Sequence, residues 1–504
     1  MSEIAERLVK ASPEEKRALL AQLLRQKAQR PGSHPLSFAQ QRLWFLDQFM
    51  RGSTAYNVPA AVRLRGPFNL AVLEQSLNEI TRRHETLRTT FAFVGEEPVQ
   101  VIGEPQPVPV LFSDLSDLPE TEREQEAQRL VTKEWQQPFD LTRGSLLRVK
   151  VLRLGDEDHV VAFTIHHIVS DGWSMQVLVE ELTALYQAFS EGKPSPLAEL
   201  SIQYGDYARR QREELNSDVL ERQIAYWKRQ LDGSPPLLQL PADHERPSVQ
   251  RFQGGFQSMV LTEALTEPLR QLSRRQSATL FITLLTALQI LLHYYSHERD
   301  IVIGTAVAGR DHVDTEGLIG FFVNTLLLRL KISGDPTFRE LLNRARETVL
   351  DAQANQDVPF EKLVEVLQPE RTRGHMPMFQ VSFVVTNAPR NNLDLPDLKM
   401  TEFEAPTGTA QFDLEFAVVE TSRRLIATLG YSIDLYEPAT ILQMLKQYET
   451  LLLRIVARPE ARLSEYTQDL FEADRQRKVA EEQHLTQTRL EKFQQVRRKK
   501  VSSG

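Results

Sequence analysis

The chain carries a cluster of prolines near its middle, at positions 235, 236, 241 and 247. Because proline fixes its own backbone angle and has no N–H to donate, neither a helix nor a central strand continues through such a segment. We therefore interpret residues 232–249 as a connector between two separately folded parts of the 504-residue chain. The prediction is an N-terminal lobe at 34–231 and a C-terminal lobe of similar size at 250–470.

Both parts mix helical and strand periodicities, which predicts an α/β fold. In the first part, Leu70–Arg83 has helical apolar spacing, and Ser174–Ser190 is predicted to form another helix. Between them, the β-rich runs Leu146–Leu154 and His159–Ile165 predict an antiparallel pair of strands. In the second part the predicted helices are 279–295 and 439–457, and the predicted strands are 256–261, 300–306, 322–330, 379–386 and 425–432.

The two ends of the chain differ from the predicted lobes. Residues 1–33 have leucines at helical spacings and end near the break at Pro31 and Gly32, which predicts a helical extension. Residues 471–504 are predicted to form a tail or linker, with a basic run from Gln487 to Gly504 that holds the single acid Glu491. Such a charge run is typical of a solvated segment, and the alternative is a docking segment for a partner.

Composition excludes several classes of protein. With 60 basic and 68 acidic residues the net charge is −8, which disfavours a nucleic-acid partner because such binding depends on phosphate neutralisation. The sequence has no cysteine, so disulfides, thiolate nucleophiles and thiolate metal sites are excluded. No signal peptide is visible, and the longest apolar stretch, Leu280–Tyr295, is interrupted by polar residues and too short for a bilayer. We expect a cytoplasmic protein with no membrane partner.

The segment TIHHIVSDGWS, residues 164–174, lies where a predicted strand ends and a helix begins. Adjacent residues of an extended segment point to opposite faces, so one of His166 and His167 is predicted to be buried and the other free to act. An imidazole with a pKa near 6.5 is largely neutral and accepts a proton from an attacking nucleophile. Asp171 either orients this histidine, as a triad carboxylate does, or braces the loop through an arginine. Gly172 is predicted to permit a backbone conformation that a side chain would forbid.

A metal site is the alternative interpretation of the two histidines. Such a site needs three or four convergent ligands, and no second group of His, Asp and Glu has suitable spacing, so we predict no metal. The sequence has no phosphate-binding loop of the P-loop kind and no G-x-S-x-G nucleophile elbow. The loop stays a candidate for histidine catalysis.

Read as HH-x-x-x-DG, residues 166–172 resemble the signature of the condensation domains of non-ribosomal peptide synthetases. Six further segments resemble motifs of that family in the family's order: 37–46 (SFAQQRLWFL), 83–91 (RHETLRTTF), 204–208 (YGDYA), 319–326 (IGFFVNTL), 356–364 (QDVPFEKLV) and 377–381 (PMFQV). The departures are Asn355, where the sixth motif usually opens with His, Arg210, where the fourth usually has Trp, and a loose seventh motif at 371–376. These departures predict altered partner or substrate contacts rather than lost chemistry.

The resemblance implies two chloramphenicol-acetyltransferase-like lobes in a V-shaped pseudo-dimer, with the active site between the lobes. It implies an enzyme that forms an amide bond, in which the amine of a carrier-bound aminoacyl acceptor attacks the thioester of a carrier-bound acyl or peptidyl donor. No cofactor is then bound by the domain itself, because phosphopantetheine arrives on the donor and acceptor carrier proteins. Adenylation or tailoring domains are further candidate partners.

The same resemblance implies a catalytic set of His167, His166, Asp171 and Gly172. His167 is the active histidine, which either takes the proton from the attacking amine or positions that amine, whereas His166 is expected to be a packed residue. Asp171 is expected to form a structural ion pair with Arg310 of the other lobe, and Gly172 to keep the loop close to the reacting carbonyl. The candidate residues lining the site are Trp173, Ser174 and Asn324.

Two alternatives stay open. One is a non-catalytic, condensation-like scaffold that recruits a carrier or a tailoring enzyme, and the other is an acyltransferase of the same fold that uses a free amine or alcohol. The histidine loop differs from the Asp-based loop of heterocyclisation domains, which disfavours ring formation. The segment 316–322 favours the type of condensation domain that joins two L-residues. No carrier or adenylation sequence follows residue 470, so we expect either a free-standing enzyme or a domain of a longer synthetase.

Overall fold

The computed structural model describes residues 33–214, 218–369, 374–387, 398–403, 405, 408–421, 424–477 and 479. The predicted extension at 1–33, apart from Ser33, and the basic run at 487–504 lie outside the described residues. The α-helices are α1 Phe38–Phe49, α2 Leu70–Arg83, α3 Glu120–Trp135, α4 Gly172–Ser190, α5 Tyr204–Glu214, α6 Asp218–Leu231, α7 Glu263–Arg275, α8 Leu280–Ser296, α9 Val313–Glu316, α10 Phe338–Ala354, α11 Phe360–Leu367, α12 Pro438–Ala457 and α13 463–477. The strands are β1 Ser33–Pro35, β2 Asn57–Arg65, β3 Thr89–Val94, β4 Glu97–Ile102, β5 Val110–Asp114, β6 Leu147–Gly155, β7 Asp158–His166, β8 Gly254–Val260, β9 Asp300–Val307, β10 Asn324–Lys331, β11 Val381–Asn387, β12 Lys399–Glu402, β13 Leu414–Glu420 and β14 Leu425–Ser432.

Among the described residues, these strands form three sheets, which confirms the predicted α/β class. We call the parts of the chain before and after the proline-rich connector at 232–249 the first and second halves. The first half forms a three-stranded sheet in the order β1-β4-β3 and, together with β12 of the second half, a five-stranded sheet in the order β12-β2-β7-β6-β5. The second half holds a six-stranded sheet in the order β10-β9-β11-β13-β14-β8. The predicted antiparallel pair is confirmed as β6 and β7, in which Leu147 lies opposite Ile165.

Strand β7 is apolar at nearly every position because both of its faces are covered. Val161, Phe163 and Ile165 pack in one cluster with α2 and α4. Val160 and Ala162 pack in another cluster with α3. A strand covered on both faces gives a continuous apolar run rather than an alternating one. This double burial fixes the position of β7, whose end leads into the histidine loop.

The core of the second half surrounds helix α8. Its residues from Ile282 to Leu292 are all buried, and the Thr279 hydroxyl caps the helix by accepting a hydrogen bond from the Ile282 N–H. A helix that is apolar on all sides is typical of a core position. Within the described part of the chain, no single helix is long and apolar enough to cross a membrane, and α7 and α8 reach that length only as a pair bent by 103°.

The structure differs from the predicted lobe boundaries at three points. Helix α6 falls in the predicted N-terminal lobe, but its Trp227 and Leu231 pack in the core of the second half. Strand β12 belongs to the second half in sequence, but it pairs antiparallel with β2 at the edge of the first half's sheet. Helix α13 runs through the predicted boundary at 470, where Leu470 is buried. Local periodicity identifies such elements, but the partner that buries each of them is distant in sequence.

Candidate active site

The loop after β7 is held on several sides. A short 3₁₀ turn, His167–Val169, follows the strand, and Asp171 then caps the N-terminus of α4. Gln40 of α1 donates a hydrogen bond from its side-chain nitrogen Nε2 to the carbonyl oxygen of Ile168, over 3.1 Å. Gln40 is completely buried, so this bond is shielded from water and fixes the turn that carries the second histidine.

His166 is a packed, neutral residue. Its Nδ1 accepts a hydrogen bond from the backbone N–H of Ile168 at 3.1 Å, which leaves the proton on Nε2. Its ring stands edge-on to Phe139, with 5.8 Å between the ring centroids. Burial, with smaller contributions from His167 and Arg148, lowers the pKa of His166 to about 3. His166 is 5% exposed, which agrees with the expectation of a packed residue.

His167 has the opposite tautomer and stays partly exposed. Its Nδ1 lies 2.7 Å from the carbonyl oxygen of Ser170, so this nitrogen carries the proton and donates it. The lone pair of Nε2 is therefore left on the far side of the ring. Burial lowers the pKa of His167, and the nearby carboxylate of Asp171 opposes this effect in part. The arrangement provides a neutral imidazole that can accept one hydrogen bond.

Both histidines are held by backbone hydrogen bonds. Each uses its Nδ1 in a hydrogen bond to the backbone, with Ile168 for His166 and with Ser170 for His167. Within the ranges that the structure describes, no group of three His, Asp or Glu side chains is placed to hold a metal ion.

Asp171 braces the loop. Its Oδ1 accepts hydrogen bonds from the backbone N–H and the hydroxyl of Ser174, at 2.8 and 2.7 Å. Its Oδ2 accepts a hydrogen bond from the backbone N–H of Phe322 at 3.0 Å. Arg310 donates from Nη2 to Oδ1 over 3.3 Å. None of these hydrogen bonds involves a histidine, so the triad role considered for Asp171 does not fit its geometry.

The Asp171–Arg310 pair joins the two halves in a dry environment. Their side chains are 0% and 1% exposed. Arg310 also donates to the Ser174 hydroxyl and to the carbonyl oxygen of Leu318, both over 2.8 Å, and lies 3.9 Å from the centroid of the Phe322 ring. Burial lowers the pKa of Arg310, and the carboxylate of Asp171 opposes that effect. The pair thus fixes where the second half meets the histidine loop.

A segment of the second half, residues 319–322, contacts the first half, and its Ile319 and Phe321 pack in the first half's core. Side chains of the first half bind its backbone at four points: His84 with the Ile319 N–H (3.3 Å), Ser174 with the Gly320 N–H (3.0 Å), Tyr204 with the Phe321 carbonyl (2.6 Å) and Asp171 with the Phe322 N–H (3.0 Å). These bonds place the Phe321 ring edge-on against His167, with 4.7 Å between the centroids. The surroundings of His167 therefore come from both halves.

The predicted role of Gly172 in backbone conformation is wrong. Gly172 is the first residue of α4 and has no positive φ, and a Cβ added to it would meet nothing within 4 Å. The glycine instead leaves open space in front of the loop. Its neighbour Trp173 is 43% exposed and donates from Nε1 to the carbonyl oxygen of Glu316 at 2.9 Å, which adds another contact between the halves.

Of the two predicted lining residues Ser174 and Asn324, only Asn324 borders an open cleft. Ser174 is completely buried, so its hydroxyl supports the loop and does not line a site. Asn324 lines a cleft of about 280 Å³ between the halves. Its amide is already engaged, because Nδ2 donates to the carbonyl oxygens of Gln356 and Val358 and Oδ1 accepts from the Phe360 N–H. Asn324 therefore shapes the wall of the cleft.

Sequence reasoning missed three residues beside the histidine loop. Gln40 and Phe321 lie in the motif-like segments 37–46 and 319–326, but the motifs indicate no role for either side chain. Tyr56 lies outside all of the motif-like segments, yet its carbonyl oxygen accepts a hydrogen bond from the backbone N–H of His167 at 2.8 Å. A motif match indicates a segment, but only the fold shows which of its side chains contact the loop.

Comparisons with known proteins assign this arrangement to a family. The family model of the condensation domain matches residues 31–476, and the chain belongs to that family. In non-ribosomal peptide synthetases the family's function is peptide-bond formation. The resemblance found in the sequence is thereby confirmed.

Curated relatives include a linear gramicidin synthase of Brevibacillus parabrevis, which is 46% identical over 429 residues, or 85% of this chain and 6% of that protein. Phosphinothricin tripeptide synthetase PhsC of Streptomyces viridochromogenes is 41% identical over 472 residues, or 91% of this chain and 43% of that protein. The chain therefore spans less than half the length of these relatives.

Solved structures share the fold. The X-domain from teicoplanin biosynthesis superposes with a TM-score of 0.79 at 28% identity, covering 86% of this chain and 97% of that one. The first condensation domain of the CDA synthetase gives a TM-score of 0.71 at 22% identity, covering 86% of this chain and 98% of that one.

Proposed function

We propose that this protein catalyses amide-bond formation between an acyl or peptidyl thioester donor and an aminoacyl acceptor, each tethered to a carrier protein. The observation that carries the proposal is the neutral, partly exposed imidazole of His167, whose Nε2 has no hydrogen-bond partner among the described residues where the two halves meet. Family membership supports the same reaction.

In the proposed reaction, the acceptor's amine nitrogen attacks the thioester carbon and forms the new C–N bond, while the carbonyl π pair moves to oxygen. His167 Nε2 accepts a hydrogen bond from the attacking amine and holds it in line. The pair on oxygen then returns, the C–S bond breaks, and the proton lost by nitrogen passes to the leaving thiolate. Burial lowers the pKa of His167, which favours the neutral ring that accepts this hydrogen bond. Since a neutral amine is already nucleophilic and a thioester is activated, positioning of the amine supplies much of the acceleration.

The substrates arrive on phosphopantetheine arms of donor and acceptor carrier proteins, and the domain needs no cofactor of its own. The relatives support this proposal, because they are named synthetases and are more than twice as long as the match to this chain. Adenylation and tailoring domains are the further partners that such a synthetase would supply.

The proposal is tested with the full chain and two carriers, one loaded with an acyl donor and the other with an aminoacyl acceptor. The condensed thioester is followed by mass spectrometry. His167→Ala is expected to lose at least about 10²-fold in kcat with little change in Tm. His244→Ala, at an exposed histidine that pairs with Glu437, is the matched control and should retain parent activity. Equal turnover by His167→Ala and the parent would overturn the role of His167.

A recruiting scaffold is the second candidate, and one comparison favours it. The X-domain in its solved complex with OxyB from teicoplanin biosynthesis superposes on this chain with a TM-score of 0.78 at 28% identity. Binding of a tailoring enzyme, together with no condensation of any loaded donor and acceptor, would support the scaffold. Efficient turnover with a free amine at low concentration would instead support an acyltransferase of the same fold.

A further inference from the structure

Tyr56 is the cross-strand neighbour of His167. The backbone N–H of His167 donates to the Tyr56 carbonyl at 2.8 Å, which continues the β2–β7 ladder by one residue beyond the Asn57–His166 pair. In antiparallel strands, residues directly opposite each other project to the same face, with Cβ atoms about 4.5–5.5 Å apart. Tyr56 and His167 therefore lie opposite each other in the backbone, directly before the start of β2 and directly after the end of β7.

The phenol hydroxyl of Tyr56 is buried and has no hydrogen-bond partner within 3.5 Å among the residues that the structure describes. Tyr56 as a whole is 6% exposed. A buried hydroxyl left unpaired costs about 1–3 kcal/mol, and folded proteins contain few of them. Burial raises the pKa of Tyr56, so the hydroxyl keeps its proton and can act as a donor. A donor of this kind, on the residue whose backbone binds the active histidine, is suited to an acceptor in the substrate.

The charged groups near the phenol come from both halves. Arg42 of α1 lies with its Nη1 3.6 Å from Oε1 of Glu361 on α11, and its guanidinium lies 5.3 Å from the centroid of the Phe360 ring. Arg42 opposes the rise in the pKa of Tyr56 through its charge and through a hydrogen-bonding contribution, and its charge also lowers the pKa of His167. The Arg42–Glu361 pair is partly exposed and long, so it holds the halves together only weakly here.

We propose that the Tyr56 hydroxyl is a catalytic hydrogen-bond donor to the carbonyl oxygen of the donor thioester, an inference that rests on the proposed function. As the amine attacks, the C–N bond forms and the carbonyl π pair moves to this oxygen, which accepts the hydrogen bond while the phenol keeps its proton. When the pair returns, the C–S bond breaks. His167 then holds the nucleophile and Tyr56 the developing oxyanion, and Arg42 adds positive charge near that oxygen.

Tyr56→Phe tests the proposal because it removes one oxygen atom and keeps the ring. Removing a single oxyanion donor lowers kcat by about 10²–10³-fold, whereas KM for the loaded carriers should stay near the parent value. The Tm should be unchanged or raised, since an unpaired hydroxyl is lost. Tyr226→Phe is the matched control: its hydroxyl on α6 is likewise unpartnered among the described residues, and it packs on the core of the second half.

Single-turnover condensation, KM and Tm are measured for the parent and both variants. A kcat of Tyr56→Phe equal to the parent's would overturn the proposal, and so would a lower kcat accompanied by a lower Tm, which indicates a structural hydroxyl. If the parent and Tyr226→Phe both form the amide and only Tyr56→Phe fails, the proposal holds. If the parent forms no amide with any loaded pair, the proposed function fails and the tyrosine assignment fails with it.

Discussion

Replacing Asp171 with alanine removes the acceptor of four hydrogen bonds where the two halves meet. Arg310, 1% exposed, would keep a buried charge without its partner. The backbone N–H of Phe322 would also lose its acceptor. Removing one member of a buried ion pair costs about 3–5 kcal/mol. Because 1 kcal/mol shifts the Tm of a lobe of about 200 residues by roughly 2–4 °C, we expect a Tm lower by about 6–20 °C.

The assay is thermal unfolding of the full chain by calorimetry. It compares Asp171→Ala, Arg310→Met and the variant that carries both substitutions. Asp171→Ala with Arg310→Met removes the unpaired charge as well as the pair. The double variant should therefore unfold at a higher temperature than Asp171→Ala alone, and its loss should be smaller than the sum of the two single losses.

Asp156→Ala is the matched control, because its carboxylate pairs with Arg153 at the surface and is 92% exposed. An exposed pair contributes little, so the Tm of this control should stay within about 1 °C of the parent. The reasoning is refuted if Asp171→Ala behaves like the control. It is refuted equally if the losses of the two single variants add up in the double variant.

Two further predictions concern stability. The pKa of His166 is about 3 in the folded chain and near 6.5 in an unfolded one. Between these pH values the unfolded state binds more protons than the folded state. The free energy of unfolding should therefore reach its full value above about pH 6.5 and fall by up to about 1.4 kcal/mol per pH unit below it. Urea unfolding at several pH values should show a shallower dependence for His166→Gln, and an unchanged dependence would contradict the assignment. Gly172→Ala should keep the parent Tm because a Cβ at this position meets open space. Gly309→Ala should unfold at a lower temperature, because Gly309 has φ +61° and a Cβ there would lie 2.1 Å from the carbonyl oxygen of Phe322. Equal Tm values for these two variants would contradict that comparison.

Elements with a strong local pattern were predictable from the sequence. Leu70–Arg83 and Leu425–Ser432 have the same bounds in the structure as in the prediction, because each alternates buried and solvated positions with the period of its own secondary structure. The histidine loop was also predictable, since its residues are contiguous and lie at a junction of strand and helix.

Contacts between distant segments were not predictable in this way. Nothing in the sequence near Trp227 shows that α6 packs against the second half, and nothing near Tyr56 shows that it lies opposite His167. The error at Gly172 has a similar origin. A glycine in a loop suggests a special φ, but Gly172 has no positive φ and a Cβ at this position would meet open space.

Strand β12 has a consequence for exchanging parts between relatives. A chimaera joined at the 232–249 connector would bring β12 from the second parent to the β2 edge of the first parent's sheet. Main-chain pairing would accept the foreign strand, but Leu398 and Met400 also pack into the first half's core, where a change of side-chain volume creates a void or a clash. A graft that carries residues 398–403 together with the first half would keep that packing native, so the useful crossover sites flank β12 as well as the proline-rich connector.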